Sequence, residues 1–508
     1  VPTAAFSTSA ARRAVADVRH LLWFRAQQVR RGRGARWIAV AFVGLTLGAA
    51  VVPAFMPGAG DGEGRSFEIL LLLPTLMTGF VVLAVVSAVA SGGGRELLSR
   101  DPAQIHPVSP TTDHLGALLL APLNIAWLLQ AWTLLGATAY GLGTHSLAPA
   151  QIVLVLWLVA ATALAQVVAW CLEGVRRLAR GIAVVRVLMV AAVGAALLLQ
   201  MNGQLVPLLD RIPTTWMVVG MVSDWSWRWA VTALAVVGAL LAATVLGAVP
   251  AHLAARRTPR DELRVETGTY TARRLPRSAL AGLVRTDRAS VWRAVPMRRG
   301  LAVLAIGPGV VAVLGNLPWS SMTVLPGLVA SGGALLYGVN AWCLDARGSL
   351  WRESLPVGPE VVFAARAYVL AEFLFAASML TIALAATRAG LPSPAELMAL
   401  LCTQVVVTLQ VVAAALRWSA QRPYAVDLRS ARATPAPPLT MVGYSTRLAI
   451  TTTLTGLVFS GLAHLQEWQI SVVVAVPFLC WSAARLLRTR RAWLDPGDRA
   501  RVVMAVAA

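Results

Sequence analysis

The chain contains no lysine; all 44 of its basic residues are arginine. A Walker phosphate loop needs a lysine on the β- and γ-phosphates, and Schiff-base chemistry needs an amine. If nucleotide energises this protein, a different chain must bind it. Charge of either sign is scarce, at 13% of residues, against roughly a quarter in soluble domains. The cysteines are few (Cys171, Cys343, Cys402 and Cys480) and have neither paired metal spacing nor a disulfide framework. They are expected to be small, buried apolar residues. His106 and His114 have no metal-ligand spacing with other donors and read as solvated loop residues. No metal site is expected. The run Gly92-Gly93-Gly94 has no strand before it and no lysine after it, so it is read as a break at a membrane face. No Ser/His/Asp or Cys/His pattern suggests a nucleophile, and no catalytic residue is assigned. The Arg-rich start lacks a short apolar region followed by a cleavage site, so no removable signal peptide is expected.

What the chain does have is apolar sequence in long runs. It is 57% hydrophobic with a net charge of +21. The arginines lie between apolar runs rather than on a soluble face, which excludes nucleic acid as the partner and points to membrane lipids. A bilayer core takes about 20 apolar residues in a helix. Candidate spans are Trp37–Met56, Ile69–Ala90, Leu115–Leu135, Ile152–Leu172, Ile182–Leu199 and Ala230–Val249, then Leu301–Leu317, Leu325–Leu344, Ala367–Ala386, Leu397–Leu416, Leu448–Leu465 and Ile470–Leu486. Arginine clusters fall at Arg12 to Arg36, at Arg176, Arg177 and Arg180, from Arg256 to Arg299, at Arg422, Arg429 and Arg432, and from Arg485 to Arg491. Arginine marks the cytoplasmic side. Trp225, Trp227, Trp229, Trp319 and Trp468 fall at the opposite ends, where indole rings favour the interface. The fold expected is an all-α polytopic membrane protein of about twelve transmembrane helices in two parallel six-helix repeats, with both termini cytoplasmic.

Local sequence supports the repeat. After the second span the chain reads RELLSRDPAQIHPVSP (Arg95–Pro110), and after the eighth GSLWRESLPVGP (Gly348–Pro359). Arg100-Asp101 aligns with Arg352-Glu353, and Pro107 to Pro110 with Pro356 to Pro359; the first copy carries three extra residues, Ala103–Ile105. Each half opens with a basic amphipathic stretch, Arg12–Arg36 and Ala279–Arg299, read as a surface helix with Leu, Val and Trp towards lipid. The division expected is residues 1–253, a linker over 254–300 and residues 301–508. An outer segment, Gln200–Arg228, is expected to fold as a short re-entrant or surface helix around Trp216–Val222. In each repeated loop, Leu97 and Leu98 or Leu350 and Trp351 supply an apolar face. Arg95, Glu96, Arg100 and Asp101, or Arg352 and Glu353, supply polar contacts, and the prolines set the exit into the next span.

These loops, and the phrase NAWCLDARGSLWRESLPVGPEVVFAAR (Asn340–Arg366), resemble fused, double-length bacterial permeases of type 2 ABC exporters. The resemblance implies that each loop is a coupling helix docking on a separate ABC ATPase subunit, present in two copies. It implies that ATP and magnesium are bound by that partner and not by this chain. It places the chain in the bacterial cytoplasmic (inner) membrane and makes it a transport subunit, not an enzyme, exporting an apolar or amphipathic substrate.

Polar residues inside the spans are few, and Glu372, Asn340, Asn124, Gln130, Gln166 and Gln404 are candidates for a substrate pathway as well as for structural hydrogen bonds. Glu372 lies in the ninth, where a carboxylate costs on the order of 3 kcal/mol on insertion scales; Asn340, Gln404 and Gln410 are its expected partners. Asn124, Gln130 and Gln166 form a sparse polar set in the first half, where interhelical bonding is the plainer role. Two other readings remain open. A proton-coupled secondary transporter suits two halves of this size. A membrane enzyme using lipid-linked substrates would draw on Asp61 and Glu63.

Overall fold

A segment buried in lipid has to satisfy its backbone N–H and C=O groups within itself, and a helix does so. The computed structural model describes residues 8–28, 33–90, 108–123, 125–257, 274, 276–346, 348–426 and 435–507. Among the described residues every regular element is helical and there is no strand. Nine described helices are long and apolar enough to cross a bilayer. This is the make-up of a multi-pass membrane protein. The chain divides into two compact units, Val1–Arg260 and Asp261–Ala508. The second basic amphipathic stretch belongs to the second unit.

In the first unit, α1 (Thr8–Gln28), α2 (Arg33–Val51) and α3 (Gly64–Ala90) are followed by α4 (Pro110–Leu120) and α5 (Ile125–Leu142). Then come α6 (Leu147–Arg176), α7 (Gly181–Met201), α8 (Leu205–Asp210), α9 (Pro213–Val222), α10 (Trp227–Leu246) and α11 (Ala248–Ala255). The expected third span is thus divided between α4 and α5, with a short 3-10 turn, Ala121–Leu123, after α4. The core forms where α3, α5, α6 and α10 meet, around Leu73, Met77, Phe80, Leu134, Leu154 and Trp157. The stretch around Trp216–Val222 is helical, as α9, and it turns Met217, Val218 and Met221 inward against α3 and α10. His114 is fully buried rather than solvated, with Nε2 3.2 Å from Thr244 O.

The second unit holds α12 (Ala279–Arg293), α13 (Val295–Leu314), α14 (Trp319–Met322) and α15 (Leu325–Leu336). These are followed by α16 (Gly348–Glu353), α17 (Pro359–Ala386), α18 (Pro394–Gln421), α19 (Pro438–Leu462), α20 (Trp468–Leu494) and α21 (Pro496–Ala507). Proline sits in the first turn of α17, α18 and α19, where its missing N–H costs nothing and its fixed φ suits the helix. At α18, Ser393 and Glu396 form a reciprocal capping box. The eighth expected span, Leu325–Leu344, is not one helix. After α15 the chain passes into a 3-10 segment, Gly338–Leu344, with Asn340 out of helical geometry. Ser419 of α18 repairs the break, accepting from Ala341 N (2.8 Å) and donating to Gly338 O (3.0 Å). All four cysteines are free thiols; Cys343 is buried, but Cys171 and Cys480 face outward.

Candidate functional site

Of the first repeated loop, Arg95, Glu96, Leu97, Leu98, Arg100, Asp101 and Pro107 lie outside the described residues, as does Asn124. Pro110 is the first residue of α4, behind a Ser109 cap that accepts from Thr112 N at 3.0 Å. The second loop is described from end to end, and Arg347, just before it, lies outside the described residues.

There, α16 divides its side chains between two faces. Leu350 is 49% exposed and Trp351 67% exposed. Arg352, expected to supply polar contacts, turns inward and is only 7% exposed. Its Nη2 donates to Asp287 Oδ1 at 2.5 Å and lies 3.2 Å from Asp345 Oδ1. The same two carboxylates hold Arg366 of α17, which is 1% exposed. Arg366 Nε donates to Asp287 Oδ2 at 2.9 Å and Nη2 to Asp345 Oδ2 at 2.6 Å. Arg366 also donates to Ala341 O, on the broken segment after α15, and its guanidinium lies 5.3 Å from the centre of the Trp342 ring. Two arginines and two aspartates balance in charge, and each guanidinium reaches both carboxylates. A buried ionic group needs this pairing, because an unpaired one costs several kcal/mol of desolvation, on the order of 3–5 kcal/mol when one partner is removed.

The other side of α16 rests on α21. Glu353 accepts from Arg499 Nε at 3.1 Å, and Ser349 Oγ donates to Val503 O at 3.4 Å. Trp342 stacks on Trp493 at 3.8 Å between ring centres, and Trp493 Nε1 donates to Pro359 O at 3.1 Å. Pro359, the last residue of the motif, is therefore both the first residue of α17 and the acceptor that ties it to the end of α20. Pro356 lies exposed in the connection ahead of it.

Glu372 does not pair with Asn340, Gln404 or Gln410. Its carboxylate takes two hydrogen bonds from Arg288 of α12, Nε and Nη2 each at 2.7 Å. These bonds raise the Arg288 pKa above its ordinary value. Trp292, one turn further along α12, packs edge-on against Phe373 with ring centres 5.8 Å apart. On α12, Leu283, Val284 and Val291 are buried in the protein core, while Leu280 and Trp292 are exposed. Asn340 is fully buried and donates to Tyr424 O (2.8 Å) and Pro435 O (3.1 Å), tying down the chain beyond α18. Gln404 Nε2 donates to Phe375 O at 3.3 Å, and Gln410 accepts from Thr455. Gln166 is buried in α6, and Gln130 is half-buried in α5. The structure thus brings Glu372 together with none of the other polar residues expected beside it.

Reading the sequence alone missed Asp287, Asp345, Arg366, Trp342, Trp493 and Arg499. Two signals were present. Asp287 is the one acidic residue in the basic stretch Ala279–Arg293, and Arg366 stands at the threshold of an apolar helix, where a charge implies a partner. Asp61 and Glu63 lie in the turn before α3, and the described residues contain no cluster of potential metal ligands. No protein-family model, curated protein or solved structure matches this chain.

Proposed function

We propose that this chain is the membrane-spanning permease of an ATP-driven exporter, powered by a separate ATPase that docks on α16. The observation that carries the reading is the division of α16. A short helix outside the long apolar helices presents Leu350 and Trp351 to the surroundings, while Arg352 roots it in the protein. An exposed apolar pair on a charge-anchored base suits a protein partner, since isolated surface residues need no such anchoring. With no lysine, the chain has no phosphate loop of its own, so ATP and magnesium belong to the partner.

The reading includes about twelve spans in two parallel repeats, with both termini and α16 in the cytoplasm. The order of packing supports the repeat. In the first unit, α1 packs on α4, α2 on α5, α3 on α5 and α6, and both α7 and α10 on α6. In the second, α12 and α13 pack on α17, α15 on α17 and α18, and both α19 and α20 on α18. With α4 and α5 together matching α17, each contact has its counterpart. Two docking elements suit an ATPase dimer in the inner membrane of a bacterium. The sparse polar lining suits an apolar or amphipathic cargo.

The test is co-purification with an ATPase encoded beside this chain, comparing the native protein with Leu350→Asp plus Trp351→Asp. Both side chains are exposed, so the variant should fold. Loss of ATPase association and of stimulated hydrolysis is expected. Undiminished association would defeat the proposal. Arg352→Ala is a poor probe, because it disrupts buried pairing as well as any docking.

A further inference from the structure

We infer that Asp287 is the positioning residue of α16, coupling it to α12 and α17 through a charge-locked joint. The inference rests on the docking role of α16 only for its consequence; the joint itself is a matter of geometry.

Asp287 is fully buried, and its two oxygens serve different elements: Oδ1 takes Arg352 from α16, and Oδ2 takes Arg366 from α17. Asp345 also touches both arginines, but it lies three residues before α16 on the same connection and moves with it. Of the two carboxylates, only Asp287 ties α16 to α12, while Glu353 and Ser349 hold the other side of α16 on α21. The next residue, Arg288, grips Glu372 lower on α17. Consecutive residues of α12 therefore hold α17 at two levels and α16 at one. A displacement of α16 must move α12 and α17 together or break a buried ion pair. Packed, buried ion pairs of this kind have discrete arrangements and do not deform continuously.

Among its described residues, the first unit shows part of this set. α1 carries Asp17 in the place of Asp287, three residues after buried Ala14 as Asp287 follows buried Val284. Asp17 is exposed, and it accepts from Thr112 at 3.4 Å. Seven residues after the proline that opens α4 stands Ala117, buried, where α17 has Arg366 seven residues after Pro359. Ala117 cannot make the contacts that Arg366 makes.

The experiment places a nitroxide label at Trp351→Cys in full-length protein with Cys171, Cys402 and Cys480 replaced by Ser; Cys343 is buried and stays. A control label goes at Leu391→Cys, a fully exposed site between α17 and α18. Asp287→Asn keeps the shape and removes the charge. It should raise the mobility of the α16 label several-fold and leave the control unchanged. Asp287→Asn with Arg352→Gln restores neutrality, so thermal stability should recover while the α16 label stays mobile. That split separates positioning from mere stabilisation, and it still reports if the single variant folds poorly. A label as immobile as in the native protein in both variants overturns the inference. So does equal loosening of the control label, which would mean general unfolding. The readout needs no ATPase, so a mobile α16 together with unaltered ATPase association would count against the docking role and leave the joint standing.

Discussion

Arg366 and Arg352 share the same carboxylates but are not equivalent, and the difference sets what each substitution should do. Arg366 reaches Asp287, Asp345 and Ala341 O, so Arg366→Ala leaves two buried acids with one arginine and a carbonyl with no donor. A loss on the order of 3–5 kcal/mol is expected, read as a large fall in unfolding temperature in detergent. Arg352→Ala removes the arginine nearer the surface while Arg366 goes on bonding both acids, and it should cost measurably less. Equal losses would show that the network is not centred on Arg366. The sequence marked Arg352 as important and gave it polar contacts, but it did not show which way the side chain faces. Facing is set by where Asp287 lies, 65 residues earlier in the chain, and no local pattern carries that information.

At the scale of elements, close helix approaches and the repaired break make the sharpest predictions. In α10 to α11, a methyl group on Gly247 would lie 2.4 Å from the His114 ring, whereas one on Gly194 in α7 would meet nothing within 4 Å. Gly247→Ala should destabilise by about 1–3 kcal/mol through overpacking. Gly194→Ala should be neutral or stabilise by about 0.5–1 kcal/mol, because alanine suits a helix better than glycine. Thermal unfolding of the two variants side by side checks the pair; the same sign for both would contradict the packing of α4 against α11. Ser419→Ala should cost about 1–3 kcal/mol, because it strands Ala341 N–H and Gly338 C=O at the break after α15. Long helices such as α6, α17 and α18 were legible in sequence, since apolar length alone specifies them. The division of α4 from α5 and the break at Asn340 were not. Both lie in apolar sequence, and the break at Asn340 is tolerated only because a neighbouring helix supplies the missing hydrogen bonds.

For the whole molecule, arginine placement predicts that both ends of the chain face the cytoplasm. A fluorescent protein fused after Ala508 should fold and glow, and a reporter enzyme active only outside the inner membrane should stay silent there; the reverse result would overturn the orientation and the site of ATPase docking with it. Transport that survives loss of the ATPase but fails when the proton gradient collapses would move the chain to the secondary-transporter class. The sequence by itself determined that this protein is helical and built for lipid, because each helix closes its own backbone hydrogen bonds and apolar length is written locally. Only the tertiary structure decided which charges meet, that Arg352 points inward, that Glu372 belongs to Arg288, and that Asp287 gathers α12, α16 and α17. Those pairings join residues tens of positions apart, and their partners are chosen by the register in which helices pack.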